Sequence, residues 1–253
     1  MRTIIAILFC LSPLSAMCQN SITIQGKLAK HNGPAKVYLS YPDTSGIIFK
    51  ITDSTSIING QFSFILKNDL PPKVFLTVHR RSLNPLQQAE PDQLPVYLIF
   101  SNTSIQVLSN TDHIKEAVVI GSKNNSDYTS YLNLLKPLEK ESQKLLTKFK
   151  MRGPNAIKDT TFMKDLRTQR DAQNKEFLDL ALQFIRTNHD SYIALEILQS
   201  SLMQGLIDYR MAESELDKFS AELKTTKLGK QISKTITNSK IEPRGDGPRA
   251  GNR

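Results

Sequence analysis

The hydrophobic period of this chain changes once, close to Gly121. Before it, apolar and polar residues alternate in short runs, as in residues 22–26, and this is the pattern of half-buried β-strands. After it, apolar residues recur at three- to four-residue spacing, as in Tyr128, Leu132 and Leu135, and this is the pattern of amphipathic helices. The sequence therefore predicts an α+β fold in which a β part precedes a helical part.

The β half is predicted to hold about eight short strands. Its clearest local signal is Asn59-Gly60 between alternating apolar residues, because these two residues tolerate the positive φ angles of a two-residue hairpin turn. The predicted strands are residues 22–26, 37–41, the hairpin 57–64, 74–78, 96–100, 104–108 and 117–120, with a long exposed loop at 82–95. We expect an antiparallel β-sandwich or open barrel over residues 19–121.

The second half predicts an irregular α-helical bundle over residues 122–241. A first helix starts near Tyr128, is kinked at Pro137 and ends at Gly153-Pro154, because proline and glycine interrupt helices. Asp190-Ser191 offers the N-cap of a later helix. Further helices are predicted over residues 161–187, 214–223 and 228–236.

The N-terminus has the features of a secretory signal peptide over residues 1–18. Arg2 is followed by a short apolar core and then by Ala16 and Cys18 at the positions that a signal peptidase inspects. We expect cleavage before Gln19 and location in the periplasm or cell envelope, with lipid anchoring at Cys18 as the alternative. The apolar core is too short to cross a bilayer, so no transmembrane segment is predicted in the mature chain.

The formal net charge of +9 is expected to be spread over a solvated, mildly basic surface. Adhesion to an acidic polymer or an anionic membrane is the alternative. With no tryptophan and 7% aromatic residues, the composition argues against nucleic-acid binding.

The last residues, 242–253, are rich in glycine and proline and are predicted to be disordered. We interpret Arg244-Gly245-Asp246 within them as a chance match to an adhesion tripeptide.

The sequence contains no catalytic motif that we recognise, so no catalytic, cofactor or metal residue is predicted. The four histidines stand far apart, without the spacing of metal ligands: His31, His79, His113 and His189. The acidic residues of the β half fall mostly in turns, and none forms an evident pair: Asp43, Asp53, Glu90 and Asp92. The sequences that start at Asn102 and Asn124 match the N-glycosylation pattern, and we interpret both as chance.

Three tyrosines near the predicted boundary between the halves are the exception that we single out. Tyr128, Tyr131 and Tyr192 fall at helical core positions, which favours burial. Their polar hydroxyl groups would also suit a groove where the two halves meet.

An ordered series of short segments resembles a known family. The segments include Ile24-Gln25-Gly26-Lys27-Leu28, Asn59-Gly60-Gln61-Phe62-Ser63-Phe64, Ala117-Val118-Val119-Ile120-Gly121-Ser122 and Asp190-Ser191-Tyr192-Ile193-Ala194-Leu195. They are similar to the uncharacterised N-terminal region of Gram-negative envelope thiol-disulfide oxidoreductases of the TlpA/ResA-like thioredoxin family. The resemblance implies a β-rich module and a helical segment that precede a thioredoxin domain.

The catalytic Trp-Cys-x-x-Cys motif of that family has no counterpart here. Both cysteines, Cys10 and Cys18, lie in the predicted leader, and residues 242–253 follow where the thioredoxin domain would begin. Thiol-disulfide exchange needs a thiolate, so we expect a non-catalytic exported binding or positioning module with an envelope protein or small ligand as partner. The alternatives are a truncated thiol-disulfide interchange protein and an envelope glycan-binding or adhesive module.

Overall fold

The structure is a computed structural model that describes residues 21–31, 33–42, 49–66, 71–80, 91–99 and 104–241. The predicted signal peptide, the predicted disordered tail, Asp43, Glu90 and Asn102 lie outside these ranges.

Eight described strands form two four-stranded sheets that face each other. The strands are β1 (Ile22–Leu28), β2 (Ala35–Pro42), β3 (Phe49–Ser56), β4 (Gln61–Leu66), β5 (Lys73–Arg80), β6 (Gln93–Tyr97), β7 (Ser104–Ser109) and β8 (Val118–Ile120). The first sheet has the order β4-β1-β7-β8 and the second has the order β3-β2-β5-β6. The predicted α+β class is confirmed, and the β half is an open two-sheet arrangement rather than a closed barrel.

One strand pair departs from the antiparallel prediction. Strands β1 and β7 run parallel, with Ile24 opposite Ile105, whereas the other described pairs are antiparallel. A parallel pair needs a long connection. Here the chain between β1 and β7 includes all four strands of the second sheet, β2, β3, β5 and β6. The first sheet is therefore mixed.

The predicted turn at Asn59-Gly60 is present, but it does not join two paired strands. Asn59 and Gly60 have φ angles of 50° and 74°, and a single bridge between Ile58 and Gln61 closes the turn. Strand β3 then pairs with β2, and β4 pairs with β1. The turn therefore passes the chain from one sheet to the other, and the prediction of a simple hairpin is wrong.

Apolar and polar residues alternate along the strands, and the apolar side chains fill the space between the two sheets. Ile24, Val37, Leu76 and Ile105 are each 0% exposed, and full burial of such a side chain contributes about 1.5–3 kcal/mol.

Strand β6 begins at Gln93, so the predicted strand at 96–100 starts too late and the loop prediction for 82–95 is wrong over its last residues. Pro95 is accommodated because β6 is an edge strand.

Six helices follow within the described part of the chain. They are α1 (Lys123–Arg152), α2 (Thr160–Thr187), α3 (Tyr192–Met203), α4 (Tyr209–Leu216), α5 (Ala221–Thr225) and α6 (Lys227–Ile241), with short 3-10 turns at Ile114–Glu116 and Gly153–Lys158. Helix α1 continues through Pro137 and ends at Gly153, where φ is 65°. The single helix predicted over 214–223 is wrong, because residues 217–220 separate α4 from α5.

A second apolar core lies among the helices and is built around α3. Ala194, Leu195 and Leu198 are fully buried, and seven of the twelve residues of α3 are buried in all, as expected for a helix surrounded by others. This core also contains Tyr97, which comes from the end of β6. The two halves are therefore joined by a side chain of the sandwich that packs among the helices.

Candidate functional site

The first turn of α1 binds the end of β6 through Asn125. Its Oδ1 accepts a hydrogen bond from the backbone N–H of Tyr97 at 2.9 Å, and its Nδ2 donates to the Tyr97 carbonyl at 2.9 Å. Asn125 is 2% exposed. Its amide thus satisfies both backbone polar groups of Tyr97, as a neighbouring strand would.

Asn124 connects the same region to α3. Its Nδ2 donates to the carbonyl of Ile99 at 2.7 Å, and its Oδ1 accepts from the backbone N–H of Tyr192 at 3.3 Å. The side chain is 4% exposed and is inaccessible to a glycosylating enzyme in this fold. The glycosylation pattern at Asn124 therefore overlaps a residue that holds the two halves together.

A charged pair joins the halves beside these asparagines. The Nζ of Lys73, on β5, donates to both carboxylate oxygens of Glu196, on α3, at 3.0 and 3.1 Å. The hydroxyl of Tyr97 donates to the same carboxylate at 2.8 Å. Lys73 also lies opposite Tyr97 in the strand register, with Nζ 5.2 Å from the ring centre, a cation–π distance.

These three residues form the polar end of a groove of about 380 Å³ between the sandwich and the helices, which we call the junction groove. Tyr128 and Tyr131 also line it. Its remaining walls are mainly apolar: Phe75, Pro95, Leu135, Phe177, Ile193 and Ile197. This size and this combination of apolar walls with a few polar groups are typical of small-ligand pockets.

The tyrosines of the junction groove are held neutral. Burial raises the pKa of Tyr131 to about 12. Burial, with a smaller contribution from the negative charge of Glu196, also raises the pKa of Tyr97 and Tyr128. Near neutral pH their hydroxyl groups are therefore hydrogen-bonding groups and not bases.

The three tyrosines predicted from the sequence are divided by the structure. Tyr128 and Tyr131 are half-buried and line the groove, whereas Tyr192 is 6% exposed and belongs to the helical core. Lys73, Tyr97 and Glu196 were not predicted. The sequence signal for them is weak, since a lysine opposite a tyrosine on paired strands becomes visible only when the register of β5 and β6 is known.

The structure brings together one of the histidines and one of the acidic residues that the sequence analysis considered and did not assign to a site. Nδ1 of His113 lies 3.6 Å from Oδ2 of Asp92. The same buried carboxylate accepts from Nη2 of Arg80 at 2.8 Å and from the backbone N–H of Lys115 at 3.0 Å. Asp92 therefore fixes the end of β5 against the 3-10 turn at Ile114–Glu116, which is a structural role.

The other histidines and Asp53 lie apart from this pair. Nε2 of His31 contacts the carbonyl of Gly33 at 2.8 Å, His79 packs edge-on against Tyr38, and Asp53 is exposed on β3. Nε2 of His189 lies 3.7 Å from Glu215. Over the described residues, no group of three or more metal-ligating side chains is assembled.

Glu215 is the centre of a second buried charge cluster, between α2 and α4. It is 3% exposed and accepts from Nε of Arg186 at 3.0 Å and from Nζ of Lys218 at 2.9 Å. Burial acts to raise the pKa of this carboxyl, but the hydrogen bonds from Lys218 and Arg186 outweigh it and lower the pKa. The cluster ties helices together and does not line the junction groove.

Comparison with known proteins finds a similarity for part of the chain. Residues 22–128 match a family model described as a domain of unknown function (DUF4369), and the match spans the β half and the start of α1. No curated protein and no solved structure matches the chain. The match includes Lys73, Tyr97 and Asn125 but not Glu196, and it carries no link to thioredoxin-family proteins.

Among the helices described, none has the length and hydropathy needed to cross a membrane.

Proposed function

We propose that this chain is a non-catalytic binding module of the cell envelope, which holds an apolar side chain of a partner protein in the junction groove. The observation that supports this proposal is the groove itself, whose apolar walls end in the hydrogen-bonding groups of Lys73, Tyr97 and Glu196. An apolar side chain would fill the walls, while the adjoining peptide group would bond to the polar end. Such grooves at the boundary between two packed units are common ligand sites.

The electrostatics of the site support binding rather than catalysis. A general base needs a pKa near the working pH and a free position toward its substrate. Glu196 already accepts hydrogen bonds from Lys73 and Tyr97, and the pKa of the groove tyrosines is raised away from neutrality. These groups are suited to orient a ligand.

A defined probe tests the groove. N-acetyl-L-phenylalaninamide carries one apolar side chain and two peptide-like groups, and a ligand of its size is expected to bind with a dissociation constant in the millimolar range. In a two-dimensional NMR titration, the amide signals of Tyr131, Ile193 and Ser200 should shift together and saturate. Shifts that are confined to other regions of the chain would contradict the proposal.

A blocking variant sharpens this test. Ser200 is exposed and lines the groove, so Ser200→Trp would fill the groove without removing a core side chain. The probe should lose its saturable shifts in this variant. Lys234→Trp, at an exposed position on α6, is the matched control and should bind the probe as the parent chain does.

The envelope location is part of the proposal and has its own test. It is supported by the signal-peptide features of residues 1–18. After expression in a Gram-negative host, the protein recovered from the periplasm should begin at Gln19. Recovery in the membrane fraction with a diacylated Cys18 would replace this prediction by the lipid-anchored alternative.

The relation to thiol-disulfide oxidoreductases is a further part of the proposal. As part of such an oxidoreductase system, the module would position a thioredoxin-like domain. The module itself would carry out no disulfide exchange. The truncated alternative predicts a reading frame with a Trp-Cys-x-x-Cys motif directly downstream of the codon for Ile241 in the natural gene. Sequencing several hundred bases of that locus decides between the two.

A further inference from the structure

The two longest helices, α1 and α2, contact each other and form a helical hairpin whose far part is almost free of buried residues. We call residues 139–176, the part of α1 after Leu138 and the part of α2 before Phe177, the arm. Among its described side chains only Ala156 is buried. The 14 residues of α1 within the arm extend about 20 Å at 1.5 Å per residue.

The end of the arm concentrates the positive charge of the chain. Residues 144–170 contain eight Lys or Arg and two Asp, a net of +6, compared with +9 for all 253 residues. The positive charge is therefore denser here than in the rest of the chain. We call residues 144–170 the tip.

Most of these cations have no carboxylate partner within the described residues. Lys144 is paired with Glu141, Arg152 with Asp159, and Arg170 lies 4.0 Å from Asp171. No ion pair to a described carboxylate is formed by the five others: Lys148, Lys150, Lys158, Lys164 and Arg167. One of the two acids of the tip is already used, since Asp159 also caps α2 by accepting from the N–H of Phe162 at 2.9 Å.

Two large apolar side chains stand among these cations. Met151, in the last turn of α1, is 84% exposed, and Ile157, in the connecting 3-10 turn, is 72% exposed. The turn itself is held by Arg152, which pairs with Asp159 and lies over the ring of Phe162. The tip is thus a defined structure that presents apolar side chains with lysines around them.

We propose that the tip docks on an anionic lipid bilayer, with its lysines and arginines at the phosphate head groups and with Met151 and Ile157 inserted just below them. Basic clusters are attracted to anionic membrane surfaces, and exposed apolar side chains add interfacial burial that a hydrated acidic polymer does not offer. A second copy of the chain is disfavoured as the occupant, because two tips of net charge +6 repel each other. This inference does not depend on the junction groove.

The absence of tryptophan from the sequence allows a site-specific test. Met151→Trp places a single fluorophore at the tip, and Met203→Trp places it at a similarly exposed site, 71% exposed, at the end of α3. Each full-length variant is mixed with phosphatidylglycerol vesicles and, separately, with phosphatidylcholine vesicles. For the Met151→Trp variant we expect a blue shift of the tryptophan emission, and its quenching by brominated acyl chains, only with the anionic lipid.

Charge reversal provides the second arm of the test. In the Met151→Trp background, Lys148→Glu, Lys150→Glu and Lys158→Glu should abolish the blue shift at about 0.15 M salt, where surface charges are screened beyond about 8 Å. The matched control reverses three exposed lysines of α6, Lys227, Lys230 and Lys234, and should retain it. All variants share the N-terminal apolar segment, so any membrane binding by that segment cancels in the comparison.

Three outcomes would overturn the proposal. The first is an unchanged emission of the Met151→Trp variant with anionic vesicles. The second is an equal blue shift in the Met203→Trp variant, which would indicate general adhesion of the chain. The third is a response of the Met151→Trp variant to soluble polyglutamate as large as its response to vesicles, which would assign the tip to acidic polymers.

Discussion

At the scale of single residues, one buried amide makes two of the hydrogen bonds between the halves. Asn125 occupies the place that a further strand would take beside Tyr97, and it satisfies the N–H and the C=O of that residue. No other side chain of similar size presents a donor and an acceptor in this way except glutamine. The sequence showed Asn125 only as part of a glycosylation-like triplet, because its partner is 28 positions away and is known only from the fold.

Replacing Asn125 by alanine should be strongly destabilising. Asn125→Ala leaves two buried backbone groups of Tyr97 without a partner, and each costs about 1–3 kcal/mol, so the free energy of unfolding should fall by about 3 kcal/mol. Urea unfolding followed by circular dichroism measures the change. Asn133→Ala, at an exposed position of the same helix, is the control and should stay within about 0.5 kcal/mol of the parent; equal effects of both would contradict this role.

Gly121, between β8 and α1, is required both for its backbone conformation and for space. Its φ is 103°, and an added Cβ would lie 2.3 Å from the carbonyl oxygen of Ser104. Gly33 has the same φ of 103° with nothing within 4 Å of an added Cβ. Gly33→Ala should therefore cost only the conformational strain, about 1–3 kcal/mol, and Gly121→Ala should cost about 1–3 kcal/mol more. Thermal unfolding compares them, and equal losses would show that the close approach is unimportant.

At the scale of elements, what the sequence predicts well is local. The Asn59-Gly60 turn, the end of α1 at Gly153 and the inward-facing residues of β1 and β2 follow from neighbours within a few positions. Strand partners do not, because pairing of β1 with β7 depends on a sheet formed by distant parts of the chain. For the same reason two tyrosines of the groove, Tyr128 and Tyr131, could be named in advance. Tyr97 and the Lys73–Glu196 pair, whose members are separated by 123 positions, could not.

The charge cluster at Glu215 predicts how the packing of α2 and α4 depends on pH. The folded-state pKa of Glu215 is lowered, so its contribution is present above the unfolded pKa, about 4.3, and is lost as the pH falls through the lower folded value. Glu215→Gln should be less stable than the parent at neutral pH, and the difference should shrink as the solution is made acidic, to about pH 3. Urea unfolding at several pH values measures this.

Glu222→Gln is the control for that series. Glu222 is an exposed carboxylate on α5, and no ion pair involving it is present among the described residues. Its stability difference from the parent should be small at every pH. A Glu215→Gln difference that stays constant from neutral to acidic pH would indicate that the Glu215 contribution is not electrostatic.

At the scale of the whole molecule, two apolar cores are joined through a small polar contact. Among the described residues, no buried side chain belongs to both the sandwich core and the helical core. Tyr97 is part of β6 but packs in the helical core, and it therefore connects the two. The amides of Asn124 and Asn125 and the Lys73–Glu196 pair complete the contact. Cooperative unfolding of the two halves therefore depends on few bonds.

This contact predicts when unfolding ceases to be a single transition. In the parent chain the NMR signals of Val37, in the sandwich, and Leu198, in α3, should be lost at the same urea concentration. In a variant with Asn124→Ala and Asn125→Ala, the two midpoints should separate, because the halves lose most of their coupling. Separate midpoints in the parent chain would contradict the prediction.

The parallel pairing of β1 with β7 also determines when the first sheet can be completed during synthesis of the chain. Thr23 is opposite Ser104, so about 80 residues must be added after the first strand before its second neighbour exists, which is a contact of long sequence separation. At about 5–20 residues per second of synthesis, that interval lasts about 4–16 s. During it, one side of β1 has no strand to pair with, and the first sheet of a growing chain stays incomplete until β7 has been made.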